Sequence, residues 1–339
     1  MLDLNTTWFI LVGVLIIGYA ILDGFDLGVG IIHLFTKDET ERRINLNAIG
    51  PVWDGNEVWL LTGGGALFAA FPVVYATVFS GYYIALMLLL LALILRAVSM
   101  EFRSKVENKS WRNFWDKAFG IGSLLPSILF GVAIGNILKG LPINEKGLFT
   151  GNFLGLLNPY AILIGLLSCA MFLMQGAVYL SMKSQDRQRQ RAEKVAQASW
   201  ITMICLYLIA TLSTMVISPF LFDGLLKNPL FYLVFLLLIL SIVYLPVALK
   251  MGKQMQAFIS SSLIIASMTG IMAISLFPRL VPSATNLAYS MTIYNSSSTP
   301  RTLTTMLIIA LLGMPIVIAY TVFIYRVFKG KVILTKESY

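Results

Sequence analysis

A helix needs about 20 consecutive apolar residues to cross the hydrocarbon core of a bilayer. This chain supplies about nine such runs. They fall near residues 8–35, 53–71, 73–102, 115–139, 159–183, 200–222, 228–249, 256–277 and 303–328. The 339 residues are 58% hydrophobic and 12% charged, against about 25% charged in a soluble domain. The expected class is an all-α polytopic membrane protein. The first run has neither a basic leader nor a small-residue cleavage site, so it reads as a retained span rather than a signal peptide. The second and third runs meet at Phe71-Pro72, where proline is tolerated as the first residue of a helix.

The formal net charge of +9 does not point to nucleic acid, because the basic residues are confined to short loops between spans. With the N-terminus outside, the outer loops hold only Lys139, Lys146, Lys227, Arg279 and Arg301. Arg96 lies within a span, and the rest of the 25 Lys and Arg fall on the inner side. That asymmetry predicts an N-out, C-in chain in the bilayer. Cys169 and Cys205 lie inside spans without metal-ligand spacing and read as packing residues.

A faint repeat aligns Leu11, Gly13, Leu15 and Gly24 with Leu163, Gly165, Leu167 and Gly176. It suggests two four-helix halves, 1–140 and 141–278, followed by an outer loop, a ninth helix and a cytoplasmic tail over 279–339. The acids do not repeat: Asp23 aligns with Gln175 and Asp26 with Val178.

Asp23, Asp26, Asp54, Glu57, Glu101 and Asp116 are the acids within the spans, all in the first four helices. Ionised groups at membrane depth are costly and usually functional. The orientation gathers five of these acids toward the cytoplasmic side, with Asp116 read as a solvated helix end. Asp23 with Asp26, and Asp54 with Glu57, are three apart and share a helix face. Neighbouring carboxylates resist simultaneous ionisation, which suits them to relaying protons. The plainer reading makes Asp54 a helix cap, Glu57 a first-turn residue and Arg96 half of a structural ion pair. Gly24-xxx-Gly28 and Gly131-xxx-Gly135 are small-residue faces for close helix packing.

Haem iron takes His, Met, Cys or Tyr ligands, and the chain has 1 histidine, His33. A multi-haem centre does not fit, nor is there a nucleotide or metal motif. From the residues alone, a proton-coupled transporter, a proton-conducting subunit and a pure scaffold all stay open.

Leu22-Asp-Gly-Phe-Asp-Leu-Gly-Val-Gly30, Asp38-Glu-Thr-Glu-Arg-Arg43, Val52-Trp-Asp-Gly-Asn-Glu-Val-Trp-Leu60, Gly63 to Pro72, Phe102-Arg-Ser-Lys105, Trp111-Arg-Asn-Phe-Trp115, Gly131 to Asn136 and Phe277 to Ser283 resemble subunit II of the cytochrome bd-type quinol oxidases. The resemblance implies a nine-helix subunit of the bacterial cytoplasmic membrane, paired by pseudo-symmetry with a haem-bearing subunit I. That partner is expected to carry two b-type haems, one d-type haem and the quinol site, leaving this chain without a cofactor of its own. The complex would oxidise quinol and reduce dioxygen to water; a small single-helix subunit is a further partner left open. The resemblance also implies a cytoplasm-facing proton path whose acids match Asp54 and Glu101; with the other acids of the cluster added, the expected path has Asp23 and Asp26 flanking it and Glu57 as a further candidate. Some members carry Asp in place of Glu101 and Gln in place of Glu57.

Overall fold

The computed structural model describes residues 3–335; Met1, Leu2 and residues 336–339, at the ends of the first and last expected units, lie outside them. The described chain is almost entirely helical: α1 (Leu4–Phe35), α2 (Glu39–Ile49), α3 (Trp53–Ala70), α4 (Pro72–Gly81), α5 (Tyr83–Arg103), α6 (Lys109–Lys139), α7 (Pro159–Lys183), α8 (Asp186–Ile217), α9 (Pro229–Lys250), α10 (Gln254–Leu276) and α11 (Pro300–Val327). A two-stranded antiparallel ribbon, β1 (Arg279–Val281) and β2 (Met291–Thr292), follows α10. The helix starts carry local sequence signals. Asn158, Asn228 and Thr299 each cap a helix through a side-chain oxygen and are followed by proline at the first helical position, where its missing N–H costs nothing.

Among the described residues, eight helices are long and apolar enough to cross a membrane. The 18-residue α3 is not among them, since Asp54, Asn56, Glu57 and Gly63 to Gly65 dilute its apolar character. It nevertheless runs the length of the bundle. Its start packs Val52 and Trp53 against Phe25 and Val29 of α1, while Ala70 and Phe71 at its end pack against Trp8 and Val12. It is therefore antiparallel to α1 and makes one further passage.

The expected span 73–102 differs from a single helix. The chain bends at Tyr82 (φ −99°, ψ 14°), separating α4 from α5, although backbone bonding continues through Tyr82 N to Val78 O and Leu86 N to Tyr82 O. The helix α6 and the loop after it pin this corner: Tyr82 Oη donates to Ala133 O of α6, Thr77 Oγ1 donates to Gly147 O of the loop, and Gly81 lies against the Phe149 ring. The helix α8 begins well before the expected 200, because its polar first turns extend beyond the apolar run. The amphipathic α2, with Asp38 as its cap, is folded where a loop was expected.

Contacts fall in the same pattern in each stretch of four spans. The pairs α1–α3, α5–α6 and α1–α6 have counterparts in α7–α8, α9–α10 and α7–α10. The two stretches meet through α1–α7, α6–α7 and α1–α10. At the centre Gly28 and Gly176 bring backbones together: a Cβ on Gly176 would lie 2.4 Å from the Gly28 carbonyl carbon, and one on Gly28 2.0 Å from Phe172 O. At its ends α11 is held by Trp8 Nε1 donating to Leu303 O (3.0 Å) and by Tyr325. The tail after it runs back over α7, with Val332 N donating to Lys183 O.

Replacing Gly176 by Ala forces backbone against backbone and is expected to destabilise the protein by about 1–3 kcal/mol or more. Gly13→Ala, which meets nothing within 4 Å, is expected to be neutral or mildly stabilising. Thermal unfolding in detergent compares the two directly.

Candidate functional site

The segment Leu22 to Gly30 gives α1 three different faces. Gly24 and Gly28 receive Phe172 and Gly176 of α7, Gly30 receives Ser123 of α6, and the remaining face carries Asp23 and Asp26 toward α3 and α5. Both acids are 0% exposed. Burying a carboxylate without a partner costs several kcal/mol, and α5 supplies the partner. Arg96, also 0% exposed, clasps both oxygens of Asp23, with Nη2 at 2.7 Å from Oδ1 and Nη1 at 3.1 Å from Oδ2. This fork-to-fork geometry is the strongest available to the two groups. Arg96 also reaches Glu57 Oε1 at 3.2 Å and Asp26 Oδ2 at 4.0 Å.

Asp26 is held differently. Asn56 of α3, 2% exposed, donates Nδ2 to Asp26 Oδ2 at 2.7 Å, and its Oδ1 accepts from Tyr325 Oη of α11 at 2.9 Å. A buried polar chain thus joins Glu57, Arg96, Asp23, Asp26, Asn56 and Tyr325 across four helices.

Asp54 and Glu101 sit at the rim of this chain. Asp54 is in the first turn of α3 and Glu101 in the last turn of α5, and both are exposed. They act on one another electrostatically, as Asp54 does on Glu57. The acids named from sequence therefore come together as one series, from an exposed pair through the half-buried Glu57 to the enclosed Asp23 and Asp26.

Asp116 departs from its expected place. It is 3% exposed rather than a solvated end, because α6 begins at Lys109 and Asp116 lies two turns inside, facing α1. Its Oδ1 accepts from Arg103 Nε at 2.5 Å and its Oδ2 from Arg42 Nη1 at 2.9 Å. His33 Nε2 is 2.6 Å from Oδ1. With two guanidinium partners Asp116 is an acceptor only, so His33 must donate to it. Arg103 extends the set to Glu39, so one cluster ties α1, α2, α5 and α6. Sequence reasoning missed it, as it missed Asn56 and Tyr325. The Asp38 to Arg43 segment held the one available signal, a dense charge run beside a span.

The only histidine is thus enclosed and bonded to Asp116, with Phe119 edge-on to its ring at 5.1 Å. Among the described residues no group of three or more His, Cys, Asp or Glu is arranged to hold a metal ion.

Comparison with known proteins places relatives along nearly the whole chain. The family described as cytochrome bd terminal oxidase subunit II matches residues 4–328. The chain is 37% identical to cytochrome bd-I ubiquinol oxidase subunit 2 of Escherichia coli (strain K12), covering 99% of this chain and 96% of that one. It is likewise 37% identical to cytochrome bd ubiquinol oxidase subunit 2 of Bacillus subtilis (strain 168), covering 98% of each. The solved structure of bd oxidase from Geobacillus thermodenitrificans superposes with a TM-score of 0.80 at 18% identity, over 96% of this chain and 99% of that one, and shows the same fold. The chain belongs to the cytochrome bd terminal oxidase subunit II family.

Proposed function

We propose that this chain is the subunit of a quinol:dioxygen oxidoreductase that pairs with a haem-bearing subunit I and conducts protons toward it from the cytoplasmic side. The observation that carries this reading is the exposure of Asp54 and Glu101 on helices whose exposed residues include Val58, Leu61, Leu91 and Ile94. Carboxylates at membrane depth do not face lipid. A partner subunit laid on α3 and α5 would enclose them in a wetted seam, with Glu57 and the Arg96 cluster as its inner wall. The excess of basic residues in the loops on the α2 side supports a cytoplasmic mouth there, an outside N-terminus and a cytoplasmic C-terminus.

In this reading Glu101 collects protons at the mouth and Asp54 passes them inward along the seam, past Glu57. Reduction of one dioxygen to two waters takes up four electrons and four protons. Oxidation of two quinols releases the same numbers. Drawing protons from one side and releasing them on the other separates charge without a conformational pump. The quinol and dioxygen chemistry belongs to the partner; the role of this chain is delivery and enclosure.

A second reading, scaffold without conduction, draws on the Arg96–Asp23 pair, whose closed geometry leaves Asp23 no role in proton exchange. The two readings divide between residues. Asp54→Asn is expected to slow quinol-driven oxygen consumption by at least about ten-fold while leaving the haem spectrum and assembly unchanged. Wild-type turnover in that variant would remove Asp54 from the path. Arg96→Leu, which strands Asp23, is expected to destabilise the complex by about 3–5 kcal/mol. Asp23→Leu combined with Arg96→Leu should recover most of that loss, as read by thermal unfolding of the purified complex.

A further inference from the structure

We infer that Tyr325 and Asn56 are positioning residues for Asp26, and that they make Asp26 rather than Asp23 the exchangeable carboxyl of the buried cluster. The inference deepens the proton-conduction reading and rests on it.

The two acids of α1 are three residues apart and equally buried, yet their oxygens are used differently. Both oxygens of Asp23 are taken by Arg96, so a proton on either would break a bidentate ion pair. Asp26 has Oδ2 occupied by Asn56, while its Oδ1 has no protein partner. Oδ1 is therefore the position at which a proton is taken up or released.

The orientation of Asn56 decides this, and Tyr325 decides the orientation. The Asn56 amide nitrogen donates to Asp26 Oδ2 and lies 3.4 Å from Leu22 O, two groups that only accept. Its oxygen must then face a donor, and the tyrosine hydroxyl at 2.9 Å is that donor. With the hydroxyl gone, the amide oxygen is left buried and unpaired, and the amide is free to turn its oxygen toward the carboxyl. An amide oxygen beside Asp26 opposes the anion that the amide nitrogen supports.

The placement of Tyr325 is itself unusual. Leu303 is the only buried residue of α11 among those described, and none of its most apolar stretch is buried. The helix is pinned near its start by Trp8 and near its end by this hydroxyl, which enters the cluster formed by the ends of α1, α2 and α3. A phenol used only to hold the helix could bond any backbone carbonyl. This one ends on the side chain that hydrogen-bonds Asp26.

The test is a double-mutant cycle in the intact oxidase complex, with the turnover number, the quinol KM and the haem spectrum measured for each variant. Tyr325→Phe is expected to lower kcat about two- to ten-fold, the worth of one hydrogen bond, with KM and haem spectrum unchanged. In an Asn56→Ala background it should add nothing, since Tyr325 acts only through Asn56. Independent, additive losses, or wild-type kcat in Tyr325→Phe, would overturn the proposal. Infrared difference spectra give a readout that does not depend on turnover or on the Asn56 variant: the carboxyl bands lost in Asp26→Asn should shift in Tyr325→Phe. Unmoved bands would refute the linkage even if conduction through Asp54 stands. Shifted bands with a fully active Asp54→Asn would uphold the linkage while removing the conduction reading.

Discussion

The buried ion pair between Arg96 and Asp23 sets the terms for the rest of the bundle. Two charges withdrawn from water at membrane depth persist only if each satisfies the other and their remaining polar atoms find partners. Two parallel bonds from one guanidinium meet the first condition, and Glu57, Asp26 and Asn56 close most of the second. The pair fixes α5 against α1 at one height, and through Asn56 it brings in α3. Asp54 then stands at the start of α3 and Glu101 near the end of α5 because those helices are already registered.

Close packing on the other side of α1 makes this possible. Glycines at 24, 28 and 30 let α7 and α6 approach closely, with backbone meeting backbone at Gly28, which leaves the remaining face of α1 to carry Asp23 and Asp26 toward α3 and α5. At the same end, Asp116 gathers Arg42, Arg103 and His33 into a second cluster. Arg103 lies two residues beyond Glu101, so this cluster fastens the end of the helix that carries the exposed acid. Both clusters pair charges across helices. The first reaches the surface through Glu57, the second through Arg42 and Glu39.

Much of this was legible in the sequence, for physical reasons that can be named. Apolar runs of membrane-spanning length marked the helices, and acids three apart inside them marked the residues that meet in the buried cluster, because hydrocarbon tolerates few charges without a cause. The glycine spacing marked the packing face of α1. Other features depend on contacts far apart in sequence. The bend at Tyr82 is imposed by α6 and the loop after it, far away in sequence, so the apolar run around it reads as continuous. Asp116 looked solvated because it stands at the very start of the expected run 115–139, whereas the helix begins at Lys109 and turns it inward. Asn56 and Tyr325 are ordinary residue types whose meaning comes from lying between α1 and α11. The exposure of Asp54 and Glu101 beside apolar residues was likewise hidden, since it is visible only once the helices are placed.

The central claim is that the Asp54 edge of α3 forms a water-accessible seam open on the side that carries α2, with the partner subunit in place. Thiol accessibility tests it most directly. A cysteine is placed at position 54 in a chain whose Cys169 and Cys205 are replaced by serine, and the assembled complex is exposed to a membrane-impermeant thiol reagent in sealed vesicles of each orientation. The account predicts labelling of Asp54→Cys only when the α2 side faces the reagent. Labelling from the opposite side, or no labelling from either, would contradict it.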